Sequence, residues 1–110
     1  MKEIKAVIQP NRLTRLRDAF REVQNFPGMT IIKVQGCRQH SGVERHDSIK
    51  EELTDFSDKI RLEILAEDHQ VDEIVRVIHA ATHTGQAGDG LVWVTDVLEL
   101  KRLCHPAADN

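Results

Sequence analysis

With 110 residues the chain fits one domain, near the small end of what can bury a core of its own. Apolar residues make up 40% and charged residues 30%, the balance of a globular domain rather than a disordered chain. A net charge of -3 and an isoelectric point near 6.0 argue against a general nucleic-acid binder, and no run approaches the ~20 apolar residues that span a bilayer.

From the start of the chain, Ile4, Ala6 and Ile8 alternate with Lys5 and Val7, which predicts a strand. Pro10 and Asn11 stop it, and Asn11 is a candidate helix cap. Leu13, Leu16, Phe20 and Val23 then recur at helical spacing, with Arg12, Arg15, Arg17 and Arg21 on a solvated face. This helix is expected to end near Gln24-Asn25, before Pro27-Gly28.

A second strand is expected over Thr30–Gln35, and Lys59–Ala66 reads as a third through Ile60, Leu62 and Ile64. Between them, residues 37–58 form a long polar segment with a helical turn near Ile49–Leu53; a loop of that length in a small domain is usually functional. Asp68 is placed to cap a second helix with the stripe Val71, Ile74, Val75, Ile78 and Ala81, and Gly85 suits the left-handed position past its end. Leu91–Val97 is the last strand, and 104–110 form a polar tail.

The order is β-α-β, loop, β-α-β over a single domain, 1–110. Such an order predicts a ferredoxin-like α+β fold, with a four-stranded antiparallel sheet and both helices on one face. The other face would carry Val7, Ile31, Leu65 and one alternation of Leu91 to Val94, mixed with Lys5, Lys33, Arg61 and Glu63. A partly apolar face of this kind implies association of subunits.

The segment Thr84-Gly85-Gln86-Ala87-Gly88-Asp89-Gly90 carries the most chemistry. Its glycines let backbone N–H groups approach phosphate oxygens, although a plain helix end and turn accounts for the same spacing. It follows a helix rather than opening one, so it is neither a Walker A loop nor a Rossmann fingerprint. Cys37, His40, Glu44, His46 and Asp47 are metal-ligand types without a zinc spacing, and are read as a solvated loop. His79 and His83, four apart, can share a helix face and bind a metal, but such residues more often serve the helix dipole.

No nucleophile–base pair or paired acid constellation stands out, so an enzyme is not expected. The opening residues have no apolar run and no signal peptide is expected; Cys37 and Cys104 are read as free thiols in a reducing cytoplasm, with a bridge between them left open.

Thr84-Gly85-x-x-Gly88-Asp89-Gly90 followed by a strand is similar to the nucleotide-binding B-loop of the nitrogen regulatory P-II proteins. Further matches keep the family's order: the opening Met1-Lys2-x-Ile4-x-Ala6-x-Ile8-x-Pro10, Leu13, Gly28-Met29-Thr30, Gly36, Arg38-Gln39, Asp55-Phe56 with Lys59, and Asp96-Val97. The chain resembles that family to about Leu103.

The resemblance implies a cytoplasmic homotrimer that senses an adenine nucleotide between subunits, often with 2-oxoglutarate and Mg²⁺. Through residues 37–58, a T-loop-like segment, it would control a transporter or metabolic enzyme. It implies phosphate approach at Gly88, Asp89 and Gly90, charge from Arg38 and Arg102, a nucleoside at Thr30 and Leu65, and a carboxylate effector at Gln39 and Lys59, with Gly36 at the loop base.

Four features depart from the family. No tyrosine is present for uridylylation, the matching stretch being Glu51-Glu52. The family's Gly-Phe-Gly-Arg-Gln becomes Gly36-Cys37-Arg38-Gln39, leaving Gln39 or His40 in the effector position. Gln86 and Leu91 replace lysines, and Cys104 replaces an arginine. Loss of these cations predicts ADP or AMP in preference to ATP, since each charge-assisted contact contributes about 1.5–3 kcal/mol. Two other functions are weighed beside this one: a metal-responsive ferredoxin-like trimer using Cys37, His40 and His46, and an interaction protein whose nucleotide site has decayed.

Overall fold

The computed structural model describes residues 1–37 and 56–107. The strands are β1 (Lys2–Ile8), β2 (Thr30–Cys37), β3 (Phe56–Ala66) and β4 (Gly90–Asp96), and the helices are α1 (Leu13–Phe20) and α2 (Val71–Thr82). The sheet order is β2-β3-β1-β4 and every neighbouring pair is antiparallel. This is the expected ferredoxin-like arrangement: each helix connects two parallel strands with a third strand between them.

The alternation that predicted the strands also builds the core. Ile4, Ala6 and Ile8 of β1 lie opposite Ile64, Leu62 and Ile60 of β3, so one face of the central pair is continuous aliphatic surface. Leu16 and Phe20 of α1 and Ile74, Ile78 and Ala81 of α2 close over it, and all of these side chains are buried. Burying a branched aliphatic side chain contributes about 1.5–3 kcal/mol, so this layer supplies most of the driving force.

The other face has no covering element among the described residues. The register puts Glu3, Lys5 and Val7 there with Arg61, Glu63 and Leu65, flanked by Trp93 and Leu91 of β4. Ile31 and Lys33 were expected on this face, but they lie opposite Leu62 and Ile60 and belong to the helix side. Ile32 and Val34 take the open face instead. β2 is an edge strand with apolar residues on both parities, so its pattern alone does not choose a face.

Local chemistry moves several element ends. The i→i−4 pattern of α1 stops at Phe20, and Arg21, Glu22 and Val23 donate instead to carbonyls three residues back, at 3.0–3.2 Å. Asn25 then takes φ 59°, and Phe26, just before Pro27, stacks on Phe20 with centroids 4.2 Å apart. Asn11 lies inside a 3-10 turn, Pro10–Arg12, and caps nothing with its side chain. Glu67, rather than Asp68, begins the second helical segment, its N–H donating to Gln70 Oε1 at 3.1 Å; Asp68 binds the Met1 amino group at 2.7 Å. The β2–β3 ladder continues to the Cys37–Phe56 pair, beyond both expected strand ends, and β4 begins at Gly90. The expected turn at 49–53 lies outside the described residues.

Gly90 joins β4 to the end of β1 with φ 107°, and a Cβ there would lie 1.8 Å from the Val7 carbonyl oxygen. Gly90→Ala is expected to destabilise the fold by about 1–3 kcal/mol from backbone strain alone, with the clash added. Urea unfolding checks it: an unchanged midpoint contradicts this close approach.

Candidate functional site

The segment Thr84–Gly90 links the end of α2 to β4 and is organised by one carboxylate. Asp89 Oδ2 accepts from the Thr84 N–H at 2.6 Å and the Gly85 N–H at 2.9 Å, while Oδ1 accepts from the Thr84 hydroxyl. Gly85, at φ 92°, turns the backbone so that both amides converge on that carboxylate. These bonds, chiefly from the Thr84 hydroxyl and amide, with help from Gly85 and the nearby His83, hold the Asp89 carboxyl at about 2. Asp89 therefore folds the loop from within, and the Thr84 and Gly85 amides are taken by the chain itself.

A second tether comes from the far end of β1. Gln9 Nε2 donates to the Gly88 carbonyl oxygen at 2.6 Å, and Lys59 Nζ reaches the same oxygen at 3.4 Å. Gly36 has room for this lysine because it lacks a side chain: a Cβ would lie 3.2 Å from Lys59 Cγ. Gly36, Lys59 and Gly88, named separately from sequence, thus form one contact group. Gln9 was not foreseen. Its bond spans 79 positions, and nothing local marks it.

Beside the loop is a small cleft of about 210 Å³ lined by Gln9, Asn11, Arg12, Thr84, Gln86, Gly88 and Asp89. Arg12 was read as part of a solvated helix face. The 3-10 turn after β1 swings it to the glycine loop instead, half-buried, and supplies a cation there.

Thr30, Leu65 and Arg102 meet elsewhere. With Glu3, Gly28, Met29 and Glu63 they line a cleft of about 400 Å³ on the open sheet face. The two clefts are well separated. Gly90 pairs with Ile8, whereas Glu63 and Leu65 pair with Lys5 and Glu3, three to five residues back along β1. At ~3.4 Å per residue that is roughly 10–17 Å. The expected site residues therefore fall into two groups at different levels of the sheet. Leu91, where a lysine was expected from the family pattern, is 62% exposed, and Gln86 and Cys104 are exposed too. Arg38 and Gln39 lie outside the described residues. Cys37 and Cys104 are free and exposed, and no group of three metal-ligand side chains forms among the described residues.

Comparison with known proteins adds a family to this geometry. The family model described as nitrogen regulatory protein P-II matches residues 1–105. The chain belongs to the nitrogen regulatory protein P-II family. It is 34% identical over 103 residues to the nitrogen regulatory protein P-II of Azospirillum brasilense, covering 94% of this chain and 91% of the relative. The figures for nitrogen regulatory protein P-II 1 of Escherichia coli K12 are 36% over 103 residues, with the same coverage. The P-II protein of Pyropia yezoensis is 34% identical over the same span. Members of this family are signalling regulators that act on target proteins, and nucleotides and 2-oxoglutarate are their general ligands. No helix among the described residues is long and apolar enough to cross a membrane.

The Asp89 clamp has a testable pH dependence. A carboxyl held below its ordinary value of 3.8 stabilises the loop fully above that pH and loses the contribution as pH falls through about 2. The Thr84 and Gly85 amide signals in nuclear magnetic resonance should therefore titrate with a midpoint near 2. A midpoint near 4 contradicts the clamp.

Proposed function

We propose that the protein is a cytoplasmic P-II-type regulator that assembles as a homotrimer and binds an adenine nucleotide between subunits. ADP or AMP is preferred over ATP. The observation that carries this reading is the split of the site residues into two open half-sites on one chain. The Thr30, Leu65 and Arg102 cleft offers Met29 and Leu65 to a base, Glu3 and Glu63 to sugar hydroxyls, and Arg102 to an anion. The glycine loop, with Arg12 and Lys59 beside it, suits phosphate. A ligand enclosed by both kinds of surface needs the open sheet faces of two chains to meet.

The open face supports that assembly. Arg61 pairs with Glu63 at 3.5 Å and Lys5 with Glu3 at 3.6 Å, so its charges are largely internally balanced, while Val7, Leu65, Leu91 and Trp93 give it apolar area. Arg61 Nε is buried without a hydrogen-bond partner among the described residues. Such a donor is normally satisfied, and an acceptor from a neighbouring chain would satisfy it.

The phosphate side is short of charge. Arg12, Arg102 and Lys59 are present with Arg38, but Gln86, Leu91 and Cys104 bring none. That set suits a short phosphate chain better than a triphosphate. Lys59 and Gln39 are the residues for a dicarboxylate such as 2-oxoglutarate, and Mg²⁺ would arrive with phosphates rather than in a protein cage. The protein acts as a binding regulator, not an enzyme. Residues 37–58 are its contact with a transporter or metabolic enzyme, and ligand binding at Gly36, Lys59 and Gly88 biases that segment from its base.

Calorimetric titration with AMP, ADP and ATP plus Mg²⁺ tests the reading. ADP or AMP should bind more tightly than ATP, and Arg12→Ala and Arg102→Ala should each weaken ADP about ten- to a hundredfold, the loss of one charge-assisted contact. Tighter binding of ATP, or indifference to both substitutions, contradicts it.

A further inference from the structure

The largest cleft near the glycine loop is on its other side, and it shares Gln86 and Asp89 with the smaller loop cleft. It encloses about 520 Å³ between the end of α2 and β4, with Ile8, Ile78 and Val92 as its floor and His79, His83, Gln86 and Asp89 at its mouth. His79 is in the last turn of α2 and His83 is the residue that ends it, its N–H donating to the His79 carbonyl at 2.9 Å. Four residues apart, their side chains project the same way. The rings lie face to face, with centroids 4.8 Å apart and an interplanar angle of 18°.

We propose that His79 and His83 form a binding site for a borderline divalent transition-metal ion such as Zn²⁺ or Ni²⁺. Two features favour a cation here beyond the spacing of the pair. Asp89 Oδ2 is 3.8 Å from His83 Nδ1 and sets a carboxylate oxygen beside one ring of the pair. The C-terminal end of α2 adds its own partial negative charge at the same place. Imidazole donors select this class of ion over Mg²⁺ and Ca²⁺, which take oxygen ligands. Both histidines are exposed, so their rings turn from stacking to chelation without disturbing the core, and the open cleft admits water to complete the coordination shell. The dipole role expected for these histidines is compatible with this one, because a metal held by both rings places its charge at the same helix end.

His79 and His83 line neither nucleotide half-site, although Asp89 borders both clefts, and the test needs no nucleotide. Tag-free protein under reducing conditions is titrated with Zn²⁺, Ni²⁺ and Mg²⁺, followed by calorimetry and by the ring and amide signals of the histidines and the loop. Zn²⁺ and Ni²⁺ should shift the His79 and His83 rings together with the Thr84 and Gly85 amides, because Asp89 connects them, and Mg²⁺ should not. His79→Ala and His83→Ala should each weaken the event that moves those amides about tenfold or more. Thermal melts of the two variants without metal check that the fold is kept. Metal binding that leaves these ring signals unmoved, or that is equally strong in both variants, overturns the proposal; so does absence of Zn²⁺ and Ni²⁺ binding.

Discussion

The structure depends on a sheet that, among the described residues, is covered on one side only. α1 and α2 take the aliphatic face of β1 and β3, and the hydrophobic gain of the fold is concentrated there. The opposite face is left with Val7, Leu65, Leu91 and Trp93 among paired charges, with the buried Arg61 Nε unpartnered among the described residues. Fixed charges set among apolar side chains make a surface suited to a single docking register, since a slip would bury them unpaired. In the proposed trimer this face both holds subunits together and brings the two half-sites into reach of each other.

A second constraint acts within the chain. The glycine loop is held by Asp89 from inside and by Gln9 and Lys59 from the ends of β1 and β3. Lys59 also lies across Gly36, at the base of the segment proposed to meet the target. The loop that would receive phosphate and the strands that carry the target segment therefore share one backbone oxygen, that of Gly88. A ligand that displaces either donor changes the hydrogen bonding at both places. The coupling needs no long pathway: the two-state element is the contact itself.

Much of the fold was legible in the residues. The alternation of Ile4, Ala6 and Ile8, and of Ile60, Leu62 and Ile64, identified the central strands and their buried side, because the other parity carries charges at Glu3, Lys5, Arg61 and Glu63 with only Val7 and Leu65 between and beside them. β2 was different: Ile31, Ile32 and Val34 occupy both parities, and only pairing with β3 decides between them. The end of α1 was misplaced because Val23 continues the apolar stripe, while the left-handed Asn25 and the Phe26-Pro27 step had already ended the helix. In the site, the loop glycines and Asp89 could be named from their motif. Gln9 and Arg12 could not. They reach the loop only because β1 ends beside it and a 3-10 turn redirects the chain, which is tertiary geometry with no local signature.

The central claim is that one nucleotide is held by two chains. Mixing two binding-deficient variants addresses it most directly: Arg12→Ala, damaged on the loop side, and Arg102→Ala, damaged on the sheet-face side. The two are unfolded together, refolded as a mixture and titrated with ADP. Mixed assemblies should recover full-affinity sites where an intact loop of one chain meets an intact sheet face of another. A mixture that binds no better than its two components would place both halves of the site on a single chain and contradict the account.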